Sequence, residues 1–195
     1  MDEYPNFNIV GECWTRPASA VAYWQTGAKN YNGFDSHLPS VMDFPVEESI
    51  RQALETDGKQ WGEGLTRVYD AVAMDYLYGD VNNILLMLGN HDMDRIADVV
   101  KDQDPRRVKL AYTLLATMRG IPQVFAGDEY AMKSSDRRLG HSTLRMPLPQ
   151  GKEVTPEMQD MFDYQSRLFQ WRKSEPVIHT GKTMHFMSRD NTYGF

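Results

Sequence analysis

Cysteine, basic clusters and long apolar runs are all scarce in this sequence. Cys13 is the single cysteine, which excludes an internal disulfide, and no residue near it has the spacing of a Cys/His zinc site. No apolar run reaches the roughly 18–20 residues of a membrane span. The net charge is −6 and Lys/Arg runs are absent, which argues against a nucleic-acid partner. With 41% hydrophobic and 25% charged residues, the composition is that of an ordinary globular domain.

One stretch combines an apolar run with polar residues. The five apolar residues 84–88 are followed by Gly89 and then by Asn90, His91 and Asp92. A continuous apolar run of this length is typical of a strand buried on both faces of a parallel sheet. In α/β folds, ligands bind beyond the carboxyl ends of such strands. The polar triplet therefore predicts part of an active site.

Strand and helix patterns alternate along most of the chain. Apolar runs predict strands over residues 7–11, 40–44, 84–88 and 121–126. Apolar residues at three- and four-residue spacing predict helices over residues 18–25, 47–55, 65–76, 105–118 and 156–173. Such alternation is typical of a parallel sheet, and in a β/α barrel the carboxyl ends of the strands meet at one mouth.

Other polar residues also follow predicted strands. These residues are Glu12, Asp43, Asp128 and Glu129. We expect Asp43 to be a supporting residue, and Asp128 and Glu129 to orient loops or pair with an arginine. Residues 133–154 form a long predicted loop. Beyond residue 176, two short predicted strands flank an Asp-Asn turn.

Three stretches stand out in chain order: Val10-Gly11-Glu12-Cys13-Trp14, Leu88-Gly89-Asn90-His91-Asp92 and residues 120–129. In that order they resemble the motifs of the fifth, seventh and eighth barrel strands in the α-amylase family of glycoside hydrolases. Asp43-Phe44-Pro45 resembles the neopullulanase/cyclomaltodextrinase branch, and residues 171–176 resemble the join to the C-terminal β-sandwich. The resemblance implies an α/β fold, the C-terminal half of a (β/α)8 TIM barrel (strands 5–8, residues 1–175), followed by the start of a β-sandwich domain (176–195).

The resemblance also implies roles in cleaving α-1,4 or α-1,6 bonds of maltooligosaccharides, pullulan or cyclodextrins. Glu12 would be the general acid/base and Asp92 the carboxylate that stabilises the transition state. The implied substrate-binding residues are His91, Asn90, Trp14, Asp136 and Arg137. Retaining hydrolysis needs a proton donor and a carboxylate nucleophile roughly 5–5.5 Å apart. The pKa of the acid must be raised by burial and by nearby negative charge, which Asp92 could supply.

The family's nucleophile is an Asp in a Gly-x-Arg-x-Asp motif that precedes the acid/base, and no such motif precedes Glu12. Residues 64–71 look similar, but the spacing from Arg67 to Asp70 is one residue too long and the pattern is helical. We therefore expect the nucleophile upstream, an inactive 195-residue chain, and strand edges covered by a second copy or by the missing half. No metal or cofactor is expected in this chain, with calcium left open for the full-length enzyme. The expected compartment is the bacterial periplasm or cytoplasm.

Two alternatives remain at this point. Asp35/His37, Asp80/Asn83 and Asn90/His91 match the letters of a metallophosphoesterase dimetal site. The segment from Gly79 to Gly89 is, however, too short for the crossover that two parallel strands require. The other alternative is a carbohydrate-binding fragment without catalytic activity.

Overall fold

The computed structural model describes residues 3–4, 7–134 and 136–195, with Arg137 described by its backbone only. The strands are β1 (Val10–Gly11), β2 (Ser40–Val41), β3 (Leu85–Met87), β4 (Ile121–Gln123), β5 (Phe186–Arg189) and β6 (Thr192–Gly194). The α-helices are α1 (Ala18–Ala22), α2 (Phe44–Glu55), α3 (Thr66–Val72), α4 (Ile96–Val99), α5 (Pro105–Thr117), α6 (Pro156–Ser174) and α7 (Pro176–Thr180). Among the described residues, no helix is both long and apolar enough to span a membrane.

The first four strands run parallel and lie side by side in chain order. β1 pairs with β2, and β3 pairs with β4 through Leu85 and Ile121. A parallel bridge between Met42 and Leu85 joins the two pairs, and Asp43 N donates to Leu85 O at 2.9 Å. Among the described residues, β1 and β4 each have a strand neighbour on one side only, so the sheet is not closed.

The main core lies between β3 and the helices that cover it. Leu86 and Leu88 are at most 1% exposed and belong to one cluster with Ile50 of α2 and Leu115 of α5. Burying each such side chain contributes about 1.5–3 kcal/mol. The predicted strand at 84–88, buried on both faces, is therefore confirmed, although Leu85 itself is only partly buried.

Three helices begin directly after a polar residue whose side chain caps the first turn. Asp43 accepts a hydrogen bond from Val46 N at the start of α2. Asp104 accepts one from Arg106 N at the start of α5, and Thr155 does the same for Met158 N at the start of α6. Each of these helices has a proline in its first turn, where no backbone donor is lost.

Several predicted boundaries are wrong. β4 ends at Gln123 instead of residue 126, and its first residue, Ile121, is 45% exposed because no strand of the described chain covers its outer side. β2 ends early, since α2 begins at Phe44 once Asp43 has capped it. The predicted loop at 133–154 contains two 3₁₀ turns, at Arg137–Leu144 and Gly151–Glu153.

The C-terminal residues form the predicted hairpin. β5 and β6 are antiparallel, and Asp190 and Asn191 between them have left-handed φ values of 51° and 55°. Asn191 Oδ1 accepts a hydrogen bond from Leu65 N at 2.9 Å, so the turn contacts the start of α3. The division at residue 175 into a barrel and a second domain stays a prediction.

Candidate active site

The polar triplet after β3 forms a tight turn. Asn90 is buried, and its Oδ1 accepts a hydrogen bond from Asp92 N at 2.8 Å. Met93 N donates to Asn90 O at 3.4 Å. Asn90 therefore shapes the turn that presents His91 and Asp92, both of which reach the surface. Its predicted contact with substrate stays a prediction.

One arginine and two histidine side chains surround the Asp92 carboxylate. His91 Nε2 lies 3.1 Å from Oδ2, while Arg145 Nη2 and His141 Nδ1 lie 3.0 and 3.4 Å from Oδ1. Desolvation raises the pKa of Asp92, but hydrogen bonds from Arg145 and His141 and the charge of His91 outweigh it, so the pKa is lowered. Asp92 is therefore an ionised carboxylate at neutral pH, as its predicted role requires.

The sequence alone did not indicate His141 or Arg145 as partners of Asp92. Both lie in the long segment after β4, about fifty residues from Asp92, in or directly after the 3₁₀ turn Arg137–Leu144, which returns them to the loop that follows β3. The available signal was the length of that segment and the spacing of its histidine and arginine.

A buried arginine fixes the segment that carries these two residues. Arg95 is 1% exposed, and its Nη1 donates to Asp128 Oδ1 at 2.7 Å. Its Nη2 donates to Leu144 O at 2.7 Å, next to Arg145 in the chain. Burial raises the pKa of Asp128 to about 6, against the opposing charge of Arg95. The expectation that Asp128 pairs with an arginine is confirmed.

Glu12 and Trp14 lie at the carboxyl end of β1. Glu12 is exposed, and its side chain has no hydrogen bond or ion pair with any described residue. The burial expected for a general acid is therefore not provided within the described chain, because β1 is an edge strand. Trp14 is 55% exposed and stacks on Phe44 with ring centroids 5.4 Å apart and planes inclined by 12°.

Asp136 and Arg137, two predicted sugar-binding residues, stand at the start of the 3₁₀ turn Arg137–Leu144. Asp136 binds Arg138 two residues on, with Nη2 to Oδ2 at 2.8 Å and Nε to Oδ1 at 2.9 Å. The side chain of Arg137 lies outside the described part of the chain. A sugar contact by either residue stays a prediction.

Asp43 does not join the residues around Asp92. Its carboxylate is fully buried and accepts a hydrogen bond from Arg119 Nη1 at 2.5 Å. Arg119 also donates to Asp75 through Nε at 2.9 Å, and these two residues precede β4 and β3 respectively. Asp43 is thus a supporting residue, as expected.

The residues of the dimetal alternative have other partners. Asp35 accepts hydrogen bonds from Thr26 Oγ1 at 3.0 Å and from His37 N at 2.8 Å. Asp80 caps a 3₁₀ turn, and Asn83 Nδ2 donates to a backbone carbonyl at 3.0 Å. In the described part of the chain, no group of three or more His, Cys, Asp or Glu side chains could hold a metal ion. The arrangement does not favour a dimetal hydrolase.

Known proteins resemble this chain over most of its length. The family model for the α-amylase catalytic domain matches residues 1–193. An α-amylase of Niallia circulans is 28% identical over 183 residues, covering 91% of this chain and 32% of that enzyme. A cyclomaltodextrin glucanotransferase of Geobacillus stearothermophilus is 28% identical over 137 residues, covering 68% of this chain and 17% of that enzyme. The chain thus spans less than a third of the length of these relatives.

Solved structures share the fold. An α-amylase from Geobacillus thermoleovorans, complexed with acarbose, gives a TM-score of 0.73 at 22% identity, covering 97% of this chain and 38% of that one. A cyclic α-maltosyl-(1→6)-maltose hydrolase from Arthrobacter globiformis also gives 0.73 at 22% identity, covering 95% and 38%. The four parallel strands therefore correspond to part of this catalytic-domain fold.

Proposed function

Because the chain belongs to the α-amylase catalytic-domain family, which it matches over residues 1–193, we propose that it supplies one side of the active site of a retaining enzyme acting on α-glucans. The observation that carries this proposal is the ionised Asp92 at the end of β3, held by His91, His141 and Arg145. A fixed carboxylate beside the sugar ring stabilises the positive charge that develops when a glycosidic bond breaks.

The remaining roles follow from chemistry and position. Glu12 protonates the leaving oxygen and later deprotonates water. His91 donates a hydrogen bond to the sugar beside Asp92, and the outer face of Trp14 stacks on a sugar ring. The exposure of Glu12 implies that its burial comes from chain outside these 195 residues or from substrate. The nucleophile likewise comes from a preceding strand.

We assign the chain to strands 5–8 of the barrel and the hairpin of β5 and β6 to the following β-domain. Both sheet edges have exposed apolar residues, with Val10 at 41% and Ile121 at 45%. Unpaired edges of this kind favour pairing with another strand. We therefore propose that the edges are covered by a second copy or by the rest of the barrel, and that the isolated chain does not turn over glucans.

For substrate, we favour α-1,4-linked maltooligosaccharides and their cyclic forms, with α-1,6 bonds as the second choice. Solved relatives in complex with acarbose, maltose and maltotriose support an oligosaccharide. Asp43-Phe44-Pro45 and the similarity to a cyclic maltosyl-maltose hydrolase support the neopullulanase-like branch. Glucanotransferases among the relatives make transfer to a second glucan a competing outcome for the same covalent intermediate.

The experiment measures acarbose and maltotriose binding by titration calorimetry, together with release of reducing sugar. We expect millimolar binding, no turnover, and a loss of binding in Asp92→Asn. Asp70→Asn is the matched control, because Asp70 is an exposed aspartate on α3. Binding that is unchanged in Asp92→Asn would overturn the site. Turnover of glucan by the isolated chain would overturn the proposal that its active site is incomplete. A monomer in light scattering at high concentration would overturn the proposal that a second copy covers the sheet edges.

A further inference from the structure

Arg51 of α2 holds both ends of the loop that presents Asp92. Its Nη1 donates to Asp94 O at 2.6 Å and lies 3.5 Å from Leu88 O. These two carbonyls flank the turn at residues 89–93. The Arg51 side chain is 12% exposed, so water competes weakly for its donors. One guanidinium nitrogen therefore ties the two ends of the turn together.

Glu47 lies one helical turn before Arg51 and is 1% exposed. Arg51 Nε is 3.1 Å from Glu47 Oε1, but the contact lacks hydrogen-bond geometry, and Oε1 has no hydrogen-bond partner among the described residues. The directional bonds of Arg51 therefore go to the loop carbonyls, while Glu47 lies beside the guanidinium with one oxygen unused.

We propose that Glu47 and Arg51 form a positioning pair for the loop that carries Asn90, His91 and Asp92. Arg51 acts through the backbone of the loop, and Glu47 acts through Arg51, whose guanidinium it adjoins. The claim about the loop stands on its own contacts, and only its relevance to catalysis rests on the proposed function.

The protonation state of Glu47 decides how Arg51 divides its contacts. Burial raises the pKa of Glu47 to about 8; Arg51 and Arg16 oppose this effect, whereas Glu48 and Asp43 add to it. Near neutral pH the carboxyl group keeps its proton, and the Arg51 guanidinium is left to the loop. Above that pH the ionised carboxylate attracts Arg51 through the unused oxygen, and the hold on the loop weakens.

The first test is amide hydrogen exchange in Arg51→Met, read at Asp92 and Met93 by NMR. We expect exchange at these two amides to rise about tenfold, while the amides of α5 keep their protection. Arg67→Met is the matched control, since Arg67 lies on α3 and donates to Gln52 rather than to the loop. Unchanged exchange at Asp92 and Met93, or an equal rise throughout the chain, would overturn the proposal.

The second test does not depend on whether Arg51→Met folds. The amide shifts of Asp92 and Met93 are followed from pH 6 to pH 9, a window that spans the Glu47 pKa of about 8, in the wild type and in Glu47→Gln. We expect a titration step near pH 8 in the wild type that is lost in Glu47→Gln, because glutamine keeps the neutral state. A step that persists in Glu47→Gln, or its absence from the wild type, would overturn the positioning pair. Neither test involves sugar, so a negative result in either one would contradict the positioning pair without contradicting the proposed function.

Discussion

The two proposed catalytic carboxylates lie at the ends of two parallel strands, yet their surroundings differ sharply. Asp92 follows β3, which has a strand on each side, and it contacts one arginine and two histidine side chains. Glu12 follows β1, which has a strand on one side only, and its side chain has no partner among the described residues. The difference shows that the position of a site side chain depends on the neighbouring strands and on the segments that contact its loop, and not on the sequence motif alone.

The largest expected effect comes from removing Arg95, which pairs with Asp128 and holds the segment that contacts Asp92. Arg95→Met leaves Asp128 buried without its cation, and we expect a loss of about 3–5 kcal/mol in the free energy of unfolding. Urea denaturation measures this loss. Arg138→Met is the control, because Arg138 is 89% exposed and pairs only locally with Asp136. Equal midpoints for the two variants would contradict the importance of the buried pair.

The next effect concerns pH and the helix beneath the Asp92 loop. The pKa of Glu47 rises from 4.5 in the unfolded chain to about 8 in the folded one, so the folded state holds a proton that the unfolded state releases. Stability therefore falls as pH rises from about 4.5 to 8. Glu47→Gln should remove this slope and raise stability at pH 8 by on the order of 2–4 kcal/mol. Parallel stability curves against pH for the two proteins would refute it.

A smaller effect is expected at the end of β1. Trp14→Ala removes the stacking on Phe44 and should cost about 1 kcal/mol, since more than half of the indole is already exposed. Trp61→Ala serves as the comparison, because the Trp61 side chain is fully exposed and has no ring contact in the described chain. If thermal unfolding shifts equally in both variants, the Trp14 stack contributes nothing.

The smallest effect sharpens the comparison itself. Glu12→Gln should leave the free energy of unfolding unchanged within about 0.5 kcal/mol, because its side chain is exposed and unpaired. Asp92→Asn should destabilise the chain more. The pKa of Asp92 is lowered on folding, so its contribution is present above the unfolded pKa of 3.8 and lost as pH falls through the folded value. A larger loss in Glu12→Gln at pH 7 would reverse the comparison.

The sequence pattern predicted the elements whose formation depends on residues that are adjacent in the chain. The apolar run at 84–88, the start of α5 at Pro105 and the turn at Asp190-Asn191 all follow from neighbouring residues. The contacts of Arg145 with Asp92 and of Arg95 with Leu144 join residues 53 and 49 positions apart. No periodicity or motif encodes such pairings, because they depend on how the segment after β4 folds back over the sheet.

The end of β4 at Gln123 could not be predicted from the sequence either. Residues 121–126 are apolar enough for a buried strand, but an apolar pattern does not state how many neighbours a strand has. Ile121 is half exposed because the described chain places no strand beside it. The same reason explains why the sequence predicted a buried acid at residue 12 and the structure has an exposed one.

The open sheet also constrains the symmetry of any self-assembly. Pairing β4 of one copy with β1 of the next is a head-to-tail contact, which closes only if the rotation per copy divides a full turn. Four strands are half of an eight-stranded ring, so closure into eight strands corresponds to a rotation of a half turn and two copies about a twofold axis. A rotation that does not divide a full turn leaves free ends and produces an open filament.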